Sequence, residues 1–164
     1  INIQKRPKKL STNNSLVIDT IDYFCKQIAK KSKPIDILIL LEPTSPFRKI
    51  KLIKKSLKRL IDENLDSIAS FIPCKTPPER VWRINKNKMS PLFNDKCWAP
   101  RQKLEQKYEL DGSILIFKTK KNHKNQIIYG KIGAVFLNTK DVIEIDDFED
   151  LYFARFKLKK KDKK

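Results

Sequence analysis

The stretch Ile35–Leu41 (IDILILL) constrains the fold of this chain more than any other segment, with six apolar residues in seven. A nearly continuous apolar run of strand length has no polar side to give to water. It suits a strand buried on both faces of a parallel sheet, with helices covering each face. The run is far shorter than the ~20 apolar residues a membrane-spanning helix needs, and no other run approaches that length. Nothing at the start of the chain has the pattern of a signal peptide.

The flanking segments supply the helices. Leu16, Ile18, Ile21, Phe24, Cys25 and Ile28 recur at helical spacing, with Asn13, Asn14 or Ser15 available as a cap and Lys30 and Lys31 near the end. A second amphipathic helix is expected over about 49–62, with Ile50, Ile53, Leu57, Leu60 and Ile61 on one face and lysines on the others. Asp66–Ile72 (DSIASFI) follows as a strand. Val81–Ile84, Gly112–Phe117 (GSILIF) and Ala134–Leu137 (AVFL) suggest more strands, and about 147–156 a last helix with an acidic first turn. Ile1–Gln4 alternates like the tail of a strand. The alternation of strand and helix predicts an α/β fold: a Rossmann-like, mostly parallel sheet with helices on both faces. The length of 164 residues fits one domain, expected over 1–156, with a disordered lysine-rich tail over 157–164.

Charge and rare residues narrow the function classes. Lys and Arg number 37 against 19 Asp and Glu, a net charge of +18. The segment 157–164 holds six lysines and one aspartate, so +5 of that charge is a tail effect. The basic residues are spread along the chain with few interleaved aromatics, which is a poor base-stacking surface, so nucleic acid is not the expected partner. Cys25, Cys74 and Cys97 form no C-x-x-C pair, which argues against zinc and against a disulfide framework and makes the cytoplasm the default. The single histidine, His123, sits in a polar stretch and is not expected to be catalytic. All three glycines lie in the last third of the chain, so it contains no glycine-rich phosphate loop. The sole methionine is Met89, and the natural start is expected to lie upstream of Ile1.

Three segments could carry chemistry. Leu40–Arg48 (LLEPTSPFR) places Glu42, Thr44, Ser45 and Arg48 at the carboxyl end of a strand, where open α/β sheets bind ligands. The same residues also suit a helix start, with Ser45 as cap and Pro46 as first residue. Pro100-Arg101-Gln102-Lys103, followed by Tyr108–Gly112 (YELDG), offers cations for a phosphate or carboxylate, although an ordinary surface loop explains it as well. Val142–Asp147 (VIEIDD) sets Glu144 and Asp146 two apart on an extended stretch, hence on one side. Such a pair suits Mg²⁺, which uses one or two carboxylates plus substrate phosphates, and it equally suits a capped helix start with solvated acids.

In this order and spacing, the segments resemble the acylneuraminate cytidylyltransferases, the CMP-sialic acid synthetases. That family reads LLQPTSPLR, then PRQ, NGAIY and a D-I-D element opening its last helix. This chain has LLEPTSPFR, PRQ, DGSIL and EIDD, and the resemblance covers nearly all of 1–156. It implies a nucleotide-diphospho-sugar transferase-like fold and an enzyme that couples CTP to a keto sugar acid, giving a CMP-sugar and pyrophosphate. By that resemblance, Arg6, Asn14 and Ser15 face the nucleotide. Glu42, Arg80, Arg101, Glu109 and Asp111 line the sugar, and Glu144 and Asp146 hold Mg²⁺. Arg101 and Asp146 stand as the catalytic pair, and a homodimer is the candidate assembly.

The departures are informative. The family's R-x-x-S-K and K-N segment, which wraps the triphosphate, is absent, and the chain is expected to be truncated at its N-terminus. Acids replace the family's residues at Glu42, Glu109 and Asp111, and Glu144 replaces the first metal Asp. Added negative charge repels a carboxylate-bearing sugar, which implies a different sugar or a weakened site. The competing readings are a non-catalytic nucleotide-sugar-binding remnant of the same fold and, behind it, a basic nucleic-acid-binding protein.

Overall fold

The computed structural model describes residues 3–93, 96–119 and 126–161. The fold is α/β, with three α-helices, α1 (Val17–Ala29), α2 (Ile50–Asp62) and α3 (Phe148–Lys161), among the described residues. The strands are β1 (Ile37–Leu40), β2 (Ser67–Pro73), β3 (Trp82–Asn85), β4 (Lys88–Pro91), β5 (Tyr108–Lys118) and β6 (Ile132–Phe136). They form a four-stranded sheet in the order β1-β5-β2-β6 and a separate hairpin, β3-β4. No described helix is long and apolar enough to cross a membrane.

The sheet is mixed rather than mostly parallel. β5 pairs antiparallel with β1, in the register Ile37↔Lys118 to Leu40↔Leu115. It also runs against β2, since Lys118 N bonds Asp66 O while Cys74 N bonds Lys107 O. β2 and β6 advance together, through Asp66 N to Lys131 O and Leu137 N to Phe71 O, as parallel partners do. β1 is also less enclosed than its composition predicts. Among the described strands it has one neighbour, and Ile39 is exposed.

Two compact units divide the chain, and β2, β5 and β6 each run from one into the other. The first comprises residues 1–40, 51–69 and 115–133. Its core joins Ile18 and Ile21 of α1 to Phe117 and Tyr129, with Cys25, Leu38, Leu40 and Ile127 packed alongside. Phe117 is 1% exposed, a burial on the order of 2–3 kcal/mol. Ser67 fastens the Tyr129 backbone in this unit, donating to its carbonyl at 2.8 Å and accepting from its amide at 3.0 Å. α1 begins without the expected cap. Its N-cap is Leu16, with no side-chain bond, because the Ser15 hydroxyl is held in a turn by Thr12. α2 spans nearly its expected residues and buries Ser56 and Leu60. It closes through Asn64 at φ 48° and a Leu65 N to Leu60 O bond, a left-handed helix stop.

The second unit comprises residues 41–50, 70–114 and 134–164. Ser70 ties β2 to β5 here: its hydroxyl accepts the Ile114 amide at 2.9 Å and lies 3.2 Å from the Ser113 hydroxyl. The β3-β4 hairpin is exposed along almost its whole length, with Lys86 at φ 52° in its turn. α3 runs to Lys161, five residues past its expected end and into the expected disordered tail. Lysine is a good helix former, and cations near a helix C-terminus are favoured. Residues 162–164, His123 and the start of the 1–4 segment lie outside the described residues.

Candidate functional site

The Leu41–Arg48 segment forms a turn, with the Ser45 amide donating to the Glu42 carbonyl at 3.3 Å. Ser45 is buried, but it does not cap α2, and Pro46 does not start it; the helix begins at Ile50. The Thr44 carbonyl is used elsewhere, accepting the Ile145 amide at 2.8 Å. This bond clips the extended 142–146 stretch to the turn and sets Glu144 within electrostatic reach of Glu42.

β5 brings in the third component. Gly112 has φ +70°, and a Cβ at that position would lie 3.9 Å from Glu42 Oε2, so Glu42 passes over the glycine beside Asp111. Asp111 is 6% exposed. Both of its carboxylate oxygens are closed to solvent and have no hydrogen-bond partner among the described residues. The same is true of Arg48 Nε and Nη2. Burial lowers the Arg48 pKa, while the negative charges of Glu42 and Asp111 oppose that shift. Burial also raises the Glu144 pKa, followed by the charges of Asp146, Glu42, Asp111 and Asp150. Five carboxylates thus share one electrostatic neighbourhood in this unit.

Two of the acids nearby serve the helix start. Asp147 Oδ1 accepts the Asp150 amide at 2.8 Å, and Asp150 Oδ2 accepts the amides of Asp146 and Asp147 at 3.1 and 3.4 Å. This reciprocal cap fits the capped-start reading of the stretch, and it leaves the carboxylates of Glu144 and Asp146 without a hydrogen bond among the described residues. Among the described residues, no group of three or more His, Cys, Asp or Glu could hold a metal ion by itself. Glu144, whose proton affinity is raised by burial and then by the Asp146 charge, nevertheless fits with Asp146 the donor set of Mg²⁺, whose remaining ligands are phosphate oxygens and water.

Arg80, Arg101 and Glu109 occupy a different part of the same unit. Arg80 donates to the Ala99 carbonyl at 3.3 Å and Arg101 to the Lys75 carbonyl at 3.0 Å. Arg101 lines a small pocket with Cys74, Pro77, Leu104 and Lys107. Burial raises the pKa of the Cys74 thiol, and Glu109 and Glu79 add to the shift. No hydrogen bond or ion pair among the described residues joins Arg101 to Glu144 or Asp146. The nucleotide candidates belong to the other unit: Arg6 and Asn14 are exposed there, and the Ser15 hydroxyl is engaged by Thr12 and Lys9. Arg48 was visible in the P-T-S-P-x-R spacing, but its unpartnered guanidinium was not.

No protein-family model matches the chain. It is 20% identical over 156 residues to the pseudaminic acid cytidylyltransferases of Campylobacter jejuni subsp. jejuni serotypes O:23/36 and O:2. The match covers 94% of this chain and 67% of each relative. At this distance the similarity points to sugar cytidylyltransferases as a class and does not single out those acting on acylneuraminates.

Proposed function

We propose that this chain is, or belongs to, a CTP-dependent cytidylyltransferase acting on a keto sugar acid. The carrying observation is the convergence of Glu42, Arg48, Asp111 and Glu144 in one unit, although they come from three segments up to 102 positions apart. The matched relatives are named for the same class of reaction.

In this reading, the sugar's anomeric hydroxyl attacks the α-phosphate of CTP, forming the new P–O bond and expelling pyrophosphate. Glu144 and Asp146 are the residues that would hold Mg²⁺, which would supply charge neutralisation at the phosphates. Glu42, Arg48 and Asp111 bind and orient the sugar acid, with Arg80, Arg101 and Glu109 as further sugar contacts by the resemblance.

The test is pyrophosphate release by a longer protein that carries an upstream phosphate-binding segment, given CTP, Mg²⁺ and a panel of keto sugar acids. Release that depends on the sugar acid and falls at least ~10²-fold in Asp146→Asn is expected. The absence of release with every acid in the panel sinks the catalytic reading. Tight CTP binding without turnover favours the non-catalytic module instead.

A further inference from the structure

We infer that the Glu42–Arg48–Asp111 cluster selects a zwitterionic sugar acid, one bearing a free primary ammonium group as well as its carboxylate. The inference rests on the cytidylyltransferase reading and narrows its substrate class.

The argument begins with two charges that have no partner. Asp111 is nine-tenths buried, and both its oxygens lack hydrogen bonds; Arg48 Nε and Nη2 lack them too. Burying an unpaired charge costs several kcal/mol, so such groups call for a partner that the chain alone does not supply. Arg48 and Asp111 lie in each other's field yet form no hydrogen bond to one another. An unpaired cation facing an unpaired anion complements a ligand with the reverse pair of charges.

The identity of the two ligand groups follows from donor chemistry. The planar guanidinium fork of Arg48 matches a carboxylate. Asp111 can only accept, and an ammonium supplies three donors. A neutral acetamide supplies one weaker donor and brings no positive charge to Asp111 or Glu42, whereas an ammonium offsets one of the two acids. A bare metal ion would meet the acids but would bring no anion for Arg48.

The probes are two methyl glycosides, of neuraminic acid and of N-acetylneuraminic acid, which differ only in a free amine against an acetamide. Calorimetry on the longer protein is expected to show the amine form binding about tenfold tighter or more. Asp111→Asn should reduce that preference to about threefold or less without lowering Tm, since it removes a buried unpaired charge. Glu42→Gln, at a half-exposed position, should reduce it by a smaller factor. Equal or tighter binding of the acetamide, or a preference that survives Asp111→Asn, overturns the inference. So does a lower Tm in Asp111→Asn with preference unchanged, the result for a purely structural pair. Turnover of some sugar acid with neither glycoside bound overturns the inference and leaves the enzymatic reading standing. Selective binding of the amine glycoside without turnover of any sugar acid does the reverse.

Discussion

The Ile145 amide donates to the Thr44 carbonyl at 2.8 Å, and this bond joins the turn after β1 to the stretch before α3. The two residues are 101 positions apart in the chain, and the bond is what brings Glu144 to the side of Glu42. Ile145→Pro removes the donor. The expected result is a Glu144 pKa that returns toward the ordinary range, with a stability loss of about 1–3 kcal/mol. Carboxyl-carbon NMR titration and urea unfolding measure the two effects.

The Glu144 carboxyl has its pKa raised above the usual 4.5, first by burial and then by neighbouring acids. The folded state therefore holds that proton more tightly than the unfolded state. The stabilising contribution is complete below the unfolded value and is lost as pH rises through the folded one. Glu144→Gln should unfold at a temperature that depends less on pH as pH rises above the ordinary value of 4.5. Parallel wild-type and variant profiles in that window would refute this assignment, and Mg²⁺ with CTP should narrow the gap at the upper end.

Arg48 and Asp111 should be energetically coupled. Arg48→Met removes the positive charge whose field Glu42 and Asp111 share without bonding it, and Asp111→Asn removes one of those two acids. A double-mutant cycle in urea should give a coupling of about 0.5–3 kcal/mol. Strictly additive effects would show that the two groups do not sense each other.

Gly130 sits at φ +66°, and a Cβ there would collide with the Asp66 carboxylate, 2.7 Å from its Cγ. Asp66 Oδ2 is already committed to the Lys131 amide at 2.8 Å, so it cannot simply swing away. Gly130→Ala combines left-handed strain with overpacking and should cost about 2–4 kcal/mol. A shift in the urea midpoint measures it.

Deleting residues 157–164 lowers the net charge from +18 to +13. Elution from heparin should move to lower salt, while CTP binding stays unchanged. Loss of nucleotide affinity on the same deletion would place the tail in the site.

The helices and the main strands were legible because their apolar spacing is unambiguous: Ile18 and Ile21 for α1, Leu60 for α2, Ile68 and Ile116 for the sheet. Strand direction was not, because an apolar run such as GSILIF reads the same either way, and only the backbone bonds of β5 reveal its reversal. β4 stayed hidden because most of its residues are exposed and no alternation marks it. The sequence marked Glu42, Glu109, Asp111 and Glu144 as acids that depart from the family's pattern, and Glu144 and Asp146 as a carboxylate pair. It could not show that Asp147 and Asp150 would take the capping role, nor that Asp111 would be buried, and Arg48 Nε and Nη2 closed to solvent, without hydrogen-bond partners.

The reversed central strand also sets an order of events at the ribosome. β1 has β5 as its described neighbour, and the pair Ile37↔Lys118 spans 81 positions. At ~5–20 residues per second, β1 waits roughly 4–16 s for its partner to be made. Through that interval Ile37–Leu40 is an unpaired apolar edge, the kind of surface that invites pairing with other chains. The slow and vulnerable step in making this protein is therefore the arrival of β5, and a chaperone that shields the β1 edge until then should raise the yield of folded chain.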